Sequence, residues 1–290
     1  MSRPGIRFAV AIVALSLAVA NCSDVGPVVD VEPAPDTVTS DRLRYDDDFA
    51  HYGFLTVPPG EGPHPVVVFI HGGFWLNSYG YELAVDQAAS AVEAGFATWN
   101  IEYRRVGDPG GGYPGTLEDV AKAVDHIAGV AGEYRLDLDR VAVVGHSAGG
   151  HLAFWVGQRS LLPAGAPGAE PLVAPALVVG QAPVADLANN LDLGGGAVER
   201  FMAVLPADAP DSYAAADPAQ LRPIVTPQLI VQGGADTIVP PDRADAYAEL
   251  IGEPEMLEVL MFENEDHFDV IDPASASWVG VLNRLADEFA

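Results

Sequence analysis

Short apolar runs recur along this chain at a spacing that leaves room for helices between them. Runs rich in Val, Ile, Leu and Phe occupy residues 65–70, 96–103, 140–144, 176–181, 227–232 and 256–262. Runs of this length and β-branched content predict buried strands. Two earlier stretches, Leu43–Tyr45 and Tyr52–Val57, predict an antiparallel opening pair. The spacing predicts helices at about 81–94, at Thr116–Ala131 and from His151 onward, and one at the C-terminus. Val120, Val124 and Ile127 share one face of the second of these, with Glu118, Asp119, Lys122 and Asp125 elsewhere. Strand and helix alternate, which predicts an α/β domain: a mainly parallel sheet with helices on both faces. Residues 183–222 break the pattern with Pro183, Gly194-Gly195-Gly196, Pro206, Pro210 and Pro218. They predict an irregular segment with room for a small lid. No internal repeat is visible.

The N-terminus follows another pattern. Arg3 and Arg7 precede an apolar stretch from Phe8 to Ala20, too short to span a bilayer comfortably. Residues 1–22 predict an export signal. Ala18-Val19-Ala20 reads as a cleavage site that frees Asn21. Val19-Ala20-Asn21-Cys22 reads instead as a lipobox, with Cys22 as the lipid attachment site. Either reading implies an exported protein, a cell-envelope lipoprotein or a secreted one. Residues 23–40, with Pro27, Pro33 and Pro35, predict a flexible tether. Residues 41–290 are then expected to form one domain. Cys22 is the only cysteine, so no intramolecular disulfide forms.

Charge narrows the partners. The 290 residues carry 41 acidic and 14 basic side chains, a net charge of −27, and Lys122 is the only lysine. Such a surface repels nucleic acid and anionic lipid. Membrane contact is expected only through the N-terminal anchor. The sequence assigns no oligomeric state. No Cys pair and no His-Glu-x-x-His motif supplies a metal site, and Asp108-Pro109-Gly110-Gly111-Gly112 lacks the Lys-Ser/Thr of a phosphate loop. No metal or cofactor is expected.

The candidate chemistry lies at strand ends. Gly145-His146-Ser147-Ala148-Gly149 sits between a predicted strand and a predicted helix. A serine on so tight a turn needs glycine two residues to either side, where side chains would collide. Its hydroxyl then stands exposed at a helix N-terminus, which favours negative charge. His71-Gly72-Gly73 follows the strand at 65–70, and its glycines let backbone N–H groups approach a substrate. Asp236 follows the strand at 227–232 in Gly233-Gly234-Ala235-Asp236. His267 stands after the last strand. The other six histidines, His51, His64, His71, His126, His146 and His151, all precede the acid. Asp266 and Asp269, beside His267, are alternative acids. His71 is expected to hold its loop rather than to react.

The chain order Ser147, Asp236, His267 is that of the α/β-hydrolase fold. The chain resembles α/β-hydrolase esterases of the hormone-sensitive-lipase-like and kynurenine-formamidase-like group. The resemblance rests on His71-Gly72-Gly73-Phe74-Trp75, Glu102-Tyr103-Arg104-Arg105, Gly145-His146-Ser147-Ala148-Gly149-Gly150-His151-Leu152, Gly233-Gly234-Ala235-Asp236 with Val239-Pro240, and Asp266-His267. It covers residues 45–290. His-Gly-Gly-Phe-Trp is closer to the formamidase branch than to the His-Gly-Gly-Gly of lipase-like relatives.

The resemblance implies a serine hydrolase with Ser147 as nucleophile, His267 as base and Asp236 as its orienting acid. Backbone N–H groups of Ala148 and Gly73, with Gly72 as the alternative, would form the oxyanion hole. Phe74 and Trp75 are expected to bind substrate, a small carboxylic ester. An arylformamide or aryl amide is the second expectation, and a non-catalytic surface binding protein on the same scaffold is a third of another class.

Overall fold

The computed structural model describes residues 37–290. The predicted export signal with Cys22, and the predicted tether up to residue 36, lie outside the described residues. The described part forms one α/β unit around an eight-stranded sheet. The strands are β1 (Thr39–Arg44), β2 (Tyr52–Val57), β3 (His64–Ile70), β4 (Ala97–Ile101), β5 (Leu136–His146), β6 (Leu177–Gln181), β7 (Gln228–Gly233) and β8 (Leu257–Phe262). Their order across the sheet is β1-β2-β4-β3-β5-β6-β7-β8. β1 and β2 pair antiparallel, as do β2 and β4. All remaining pairs are parallel. β1 starts at Thr39, so the last two residues of the predicted tether belong to the sheet.

The helices are α1 (Val85–Glu93), α2 (Gly115–Tyr134), α3 (Ala148–Gln158), α4 (Ala197–Met202), α5 (Pro210–Ala216), α6 (Asp242–Ile251) and α7 (Ala276–Glu288). Alternation along each parallel strand sends successive side chains to opposite faces. Val66, Val68 and Ile70 of β3 join Val141 and Val143 of β5 under α2 and α3. Val67, Phe69, Ala142 and Val144 point the other way, toward Trp278, Val281 and Leu285 of α7 and Ala88 and Ala91 of α1. Helices therefore cover both faces, as in the α/β-hydrolase fold. None of the described helices is long and apolar enough to cross a membrane.

Two expectations change in the structure. The helix after the serine starts at Ala148, not His151. Residues 183–222 are not irregular throughout, because α4 and α5 lie within them. The segment is also pinned. His151 Nε2 donates to the Ala216 carbonyl at 2.9 Å, and Trp155 Nε1 donates to that of Ala215 at 2.9 Å. The Asp217 carboxylate accepts from the Leu187 and Ala188 amides at 3.1 and 3.2 Å. Prolines spoiled the helical pattern here, and tertiary contacts supply what local propensity lacks.

Candidate active site

The predicted site residues come from the C-terminal ends of four parallel strands. Ligand sites of open α/β sheets favour that edge. β3 delivers His71-Gly72-Gly73, β5 delivers Ser147, β7 delivers Asp236 and β8 delivers His267.

Ser147 occupies the junction between β5 and α3 with φ 55° and ψ −116°. A non-glycine residue held there stores roughly 1–3 kcal/mol of strain. Neighbouring structure enforces it. The Ser147 N–H donates to the Gln181 carbonyl at 2.8 Å, and its carbonyl accepts from the Val184 and His151 amides, both at 3.2 Å. A side chain at Gly145 would strike the Gly149 carbonyl, and one at Gly149 would strike that of Ile70. The turn is therefore packed against its own helix and against β3. As the first residue of α3, Ala148 has an N–H with no intrahelical partner, and the helix dipole favours negative charge there.

The glycine loop lies directly on this turn. A Cβ on Gly72 would come within 2.6 Å of the His146 carbonyl and 3.2 Å of Ser147 Cβ. Gly73 takes φ +105°, with the Tyr79 ring packed against it. Phe74 and Trp75 both continue with φ 56°. The loop is braced from behind. Glu102 Oε2 accepts from the Tyr81 amide at 3.2 Å, and Arg105 donates to the Tyr79 carbonyl while pairing with Glu102 at 2.9 Å.

Asp236 and His267 meet because β7 and β8 are neighbours in register, Gly233 beside Phe262. Beyond the strands the two loops stay joined. Gly234 N–H donates to the Phe262 carbonyl at 2.8 Å and Ala235 N–H to that of Glu265 at 3.0 Å. This brings His267 Nδ1 to 2.7 Å from Asp236 Oδ2, with both residues 4% exposed. Asp236 Oδ1 accepts from the Ile238 and Val239 amides at 2.8 and 2.9 Å. The amides and the imidazole fix the carboxylate in one orientation. With Nδ1 committed to the carboxylate, Nε2 is left as the basic nitrogen. Asp266 is turned elsewhere: its Oδ1 accepts from the Phe268 and Asp269 amides, which hold its carboxyl below the usual aspartate range.

Ser147, His267, His146, Gly73 and Phe74 line one cleft of about 30 Å³, with Tyr79 and Phe268 among its other walls. That is room for about two waters. Tyr79 and Phe268 are 40% and 54% exposed, so aromatic surface rims the opening. Trp75 requires a correction. It is 1% exposed, stacks on Phe201 with ring centroids 4.8 Å apart, and donates from Nε1 to His151 Nδ1 at 3.3 Å. It is a core residue that anchors the loop to α3 and α4 and does not line the cleft. An aromatic beside a glycine loop reads equally as pocket wall or core, and only packing separates the two.

His146, which precedes the acid in the chain, is no candidate for the base. The structure buries it and directs its Nε2 to the His267 carbonyl at 2.9 Å. The sequence motif Glu102-Tyr103-Arg104-Arg105 carried no assigned role; Glu102, Tyr103 and Arg105 brace the glycine loop, whereas Arg104 pairs with Asp119 of α2. Among the described residues no group of three or more His, Cys, Asp or Glu could hold a metal ion.

Known proteins are similar to this chain over part of the sequence and in fold. The sequence is 36% identical over 105 residues to neutral cholesterol ester hydrolase 1 of Rattus norvegicus, covering 35% of this chain and 25% of that protein. It is 30% identical over 103 residues to kynurenine formamidase of Meyerozyma guilliermondii, covering 35% of this chain and 37% of that protein. Esterase LipI of Mycobacterium tuberculosis is 31% identical over 105 residues, with 35% and 31% covered. The chain thus spans between 25% and 37% of the length of these relatives. The fold is similar to that of a carbohydrate esterase from gut microbiota, with a TM-score of 0.75, 20% identity, and 88% of this chain and 98% of that one covered. It is also similar to Esterase B from Lactobacillus Rhamnosis, with a TM-score of 0.75, 20% identity, and 89% and 87% covered. Residues 55–251, well over half of the sequence, match the BD-FAE family, and the chain belongs to that family.

Proposed function

We propose that this α/β-hydrolase is a serine esterase that cleaves small carboxylic esters by two-step acyl transfer. One observation carries the reading. A strained serine at a helix N-terminus shares a narrow cleft with a histidine whose Nδ1 is held 2.7 Å from a buried carboxylate. In the proposed reaction His267 Nε2 takes the Ser147 proton as Ser147 Oγ attacks the substrate carbonyl. Asp236 holds the imidazole and stabilises its charged form. The N–H groups of Ala148 and Gly73 receive the oxyanion, with Gly72 as the alternative donor. The alcohol leaves with the proton from His267. Water then attacks the acyl-enzyme with His267 again as base, which restores Ser147.

The esterases among the relatives support the ester as substrate, and the formamidases keep N-formyl aryl amines as the second reading. The test is hydrolysis of acetyl and butyryl esters and an N-formyl aryl amine by the full chain and by Ser147→Ala. Ser147→Ala is expected to lose on the order of 10³-fold or more in kcat. A folded variant with near-wild-type turnover would overturn the nucleophile. We also propose export through residues 1–22. A diacylglyceryl mass on Cys22 or a start at Asn21 supports it, and an intact Met1 in the mature protein rejects it.

A further inference from the structure

Behind the glycine loop runs a chain of polar contacts that acyl transfer, as described, does not use. His71 immediately precedes Gly72-Gly73 and is 1% exposed. Its Nδ1 lies 2.8 Å from the Gly72 carbonyl oxygen, and its Nε2 lies 3.1 Å from Glu102 Oε1. A carbonyl only accepts, and so does an ionised carboxylate. Burial pushes the Glu102 carboxyl up. The hydrogen bond and charge of His71, the Arg105 guanidinium and the Tyr103 amide outweigh burial and hold it below the usual glutamate range. The His71 ring satisfies both acceptors only with a proton on each nitrogen. The Tyr103 ring stacks on it at 4.4 Å and 14°, and the Tyr103 hydroxyl donates to the His71 carbonyl at 2.7 Å.

The Gly72 carbonyl and the Gly73 N–H are two ends of one peptide unit. A donor on the oxygen draws electron density through the amide and makes the N–H a stronger donor. This matters most when that N–H faces developing negative charge in a water-poor cleft.

On the acyl-transfer reading above, we propose that Glu102 and His71 form a polarising relay on the oxyanion loop. Glu102 holds the His71 ring with both nitrogens protonated. His71 Nδ1–H, donating to the Gly72 carbonyl, strengthens the Gly73 N–H toward the oxyanion. Neither side chain touches substrate, and both are positioning residues acting through Gly73. The charged and titratable groups around the ring are Glu102, Tyr103 and Arg105 after β4, Asp108 beside Arg105 at 3.4 Å, and His146 across Gly72. His146 adds no charge, because burial, aided by His267, pushes it down to about 3.

Two measurements test the relay. The first is nitrogen NMR of the full chain labelled at histidine, with the His71 signals assigned by their loss in His71→Gln. Both His71 nitrogens, each facing an acceptor, are expected to carry protons in the active protein, and a neutral single-tautomer ring overturns the proposal. The second is the kinetics of Glu102→Gln on a short ester. The kcat is expected to fall about tenfold, less than when a whole oxyanion donor is removed, with KM within about twofold. A fall in kcat toward higher pH that the wild type does not show is also expected. A brace with no electronic role would not create that limb, so its absence overturns the relay. Labelling of Ser147 by an organophosphonate separates the two readings. Intact labelling with unchanged Glu102→Gln kinetics overturns the relay alone. No labelling of the wild type overturns the esterase reading and the relay with it.

Discussion

His146 Nε2 donates to the backbone carbonyl of His267 at 2.9 Å, and the two rings lie with centroids 4.6 Å apart. The residue next to Ser147 therefore holds the loop of the proposed base, and one turn sets the positions of both partners. His146→Leu removes the donor and is expected to lower kcat by about 10- to 100-fold, because small misplacements of reacting groups are costly. His146→Gln keeps a donor and should recover part of the loss. Steady-state rates on one acetyl ester decide this, and equal rates for Leu and Gln would show that the hydrogen bond is irrelevant.

Buried neutral histidines make stability depend on acid. Burial, with His267 adding to it, pushes His146 down to about 3, and burial pushes His151 down to about 4. Unfolded histidine titrates near 6.5. As pH falls below about 6.5, the unfolded chain takes up protons that the folded chain refuses. Stability is then lost with acid, and it is complete above that value. Asp217 opposes this: burial, then Asp186, pushes it up to about 6, so the folded chain binds a proton between about 6 and 4 that the unfolded chain does not. Two histidines outweigh one carboxyl. Urea unfolding is expected to show a net loss of a few kcal/mol, as an order of magnitude, between about pH 7 and pH 4. His151→Gln should flatten the slope.

Asp236→Asn is expected to cut kcat strongly, on the order of 10³- to 10⁴-fold, by favouring the wrong imidazole tautomer. Asp266→Asn should leave turnover near wild type, since its carboxylate caps its own loop and His267 is bonded to Asp236. Parallel rate measurements on the two variants check this, and the reverse pattern would move the acid role.

Phe74, Tyr79 and Phe268 wall the cleft beside Ser147 and favour short acyl groups. Acetyl or butyryl esters should exceed palmitoyl esters in kcat/KM by at least about tenfold, or about 1.4 kcal/mol of transition-state discrimination. A flat profile over chain length would mean that the walls part to admit long chains.

Trp75→Ala is expected to destabilise the fold by about 3–5 kcal/mol, because it empties a core site stacked on Phe201. Urea unfolding measures the loss. A rise in KM at unchanged stability would instead return Trp75 to the substrate-binding role.

The sequence by itself determined the sheet and the chain order of the site. Buried parallel strands must read as continuous apolar runs, and a serine turn this tight excludes side chains at 145 and 149. Both constraints act over a few residues, so they are written locally. The fold's order of motifs then singled out His267 and Asp236 from the other candidates. Tertiary structure alone decided the rest. The prolines of 183–222 gave no sign that His151 and Trp155 would anchor α5, or that Asp217 would hold the backbone at Leu187 and Ala188. Trp75 turned inward because Phe201, more than a hundred residues later, offers it a stacking face. His146 met His267, and His71 met Glu102, through hydrogen bonds that join different strand ends. Such contacts depend on sheet order, which no local pattern of apolar and polar residues encodes.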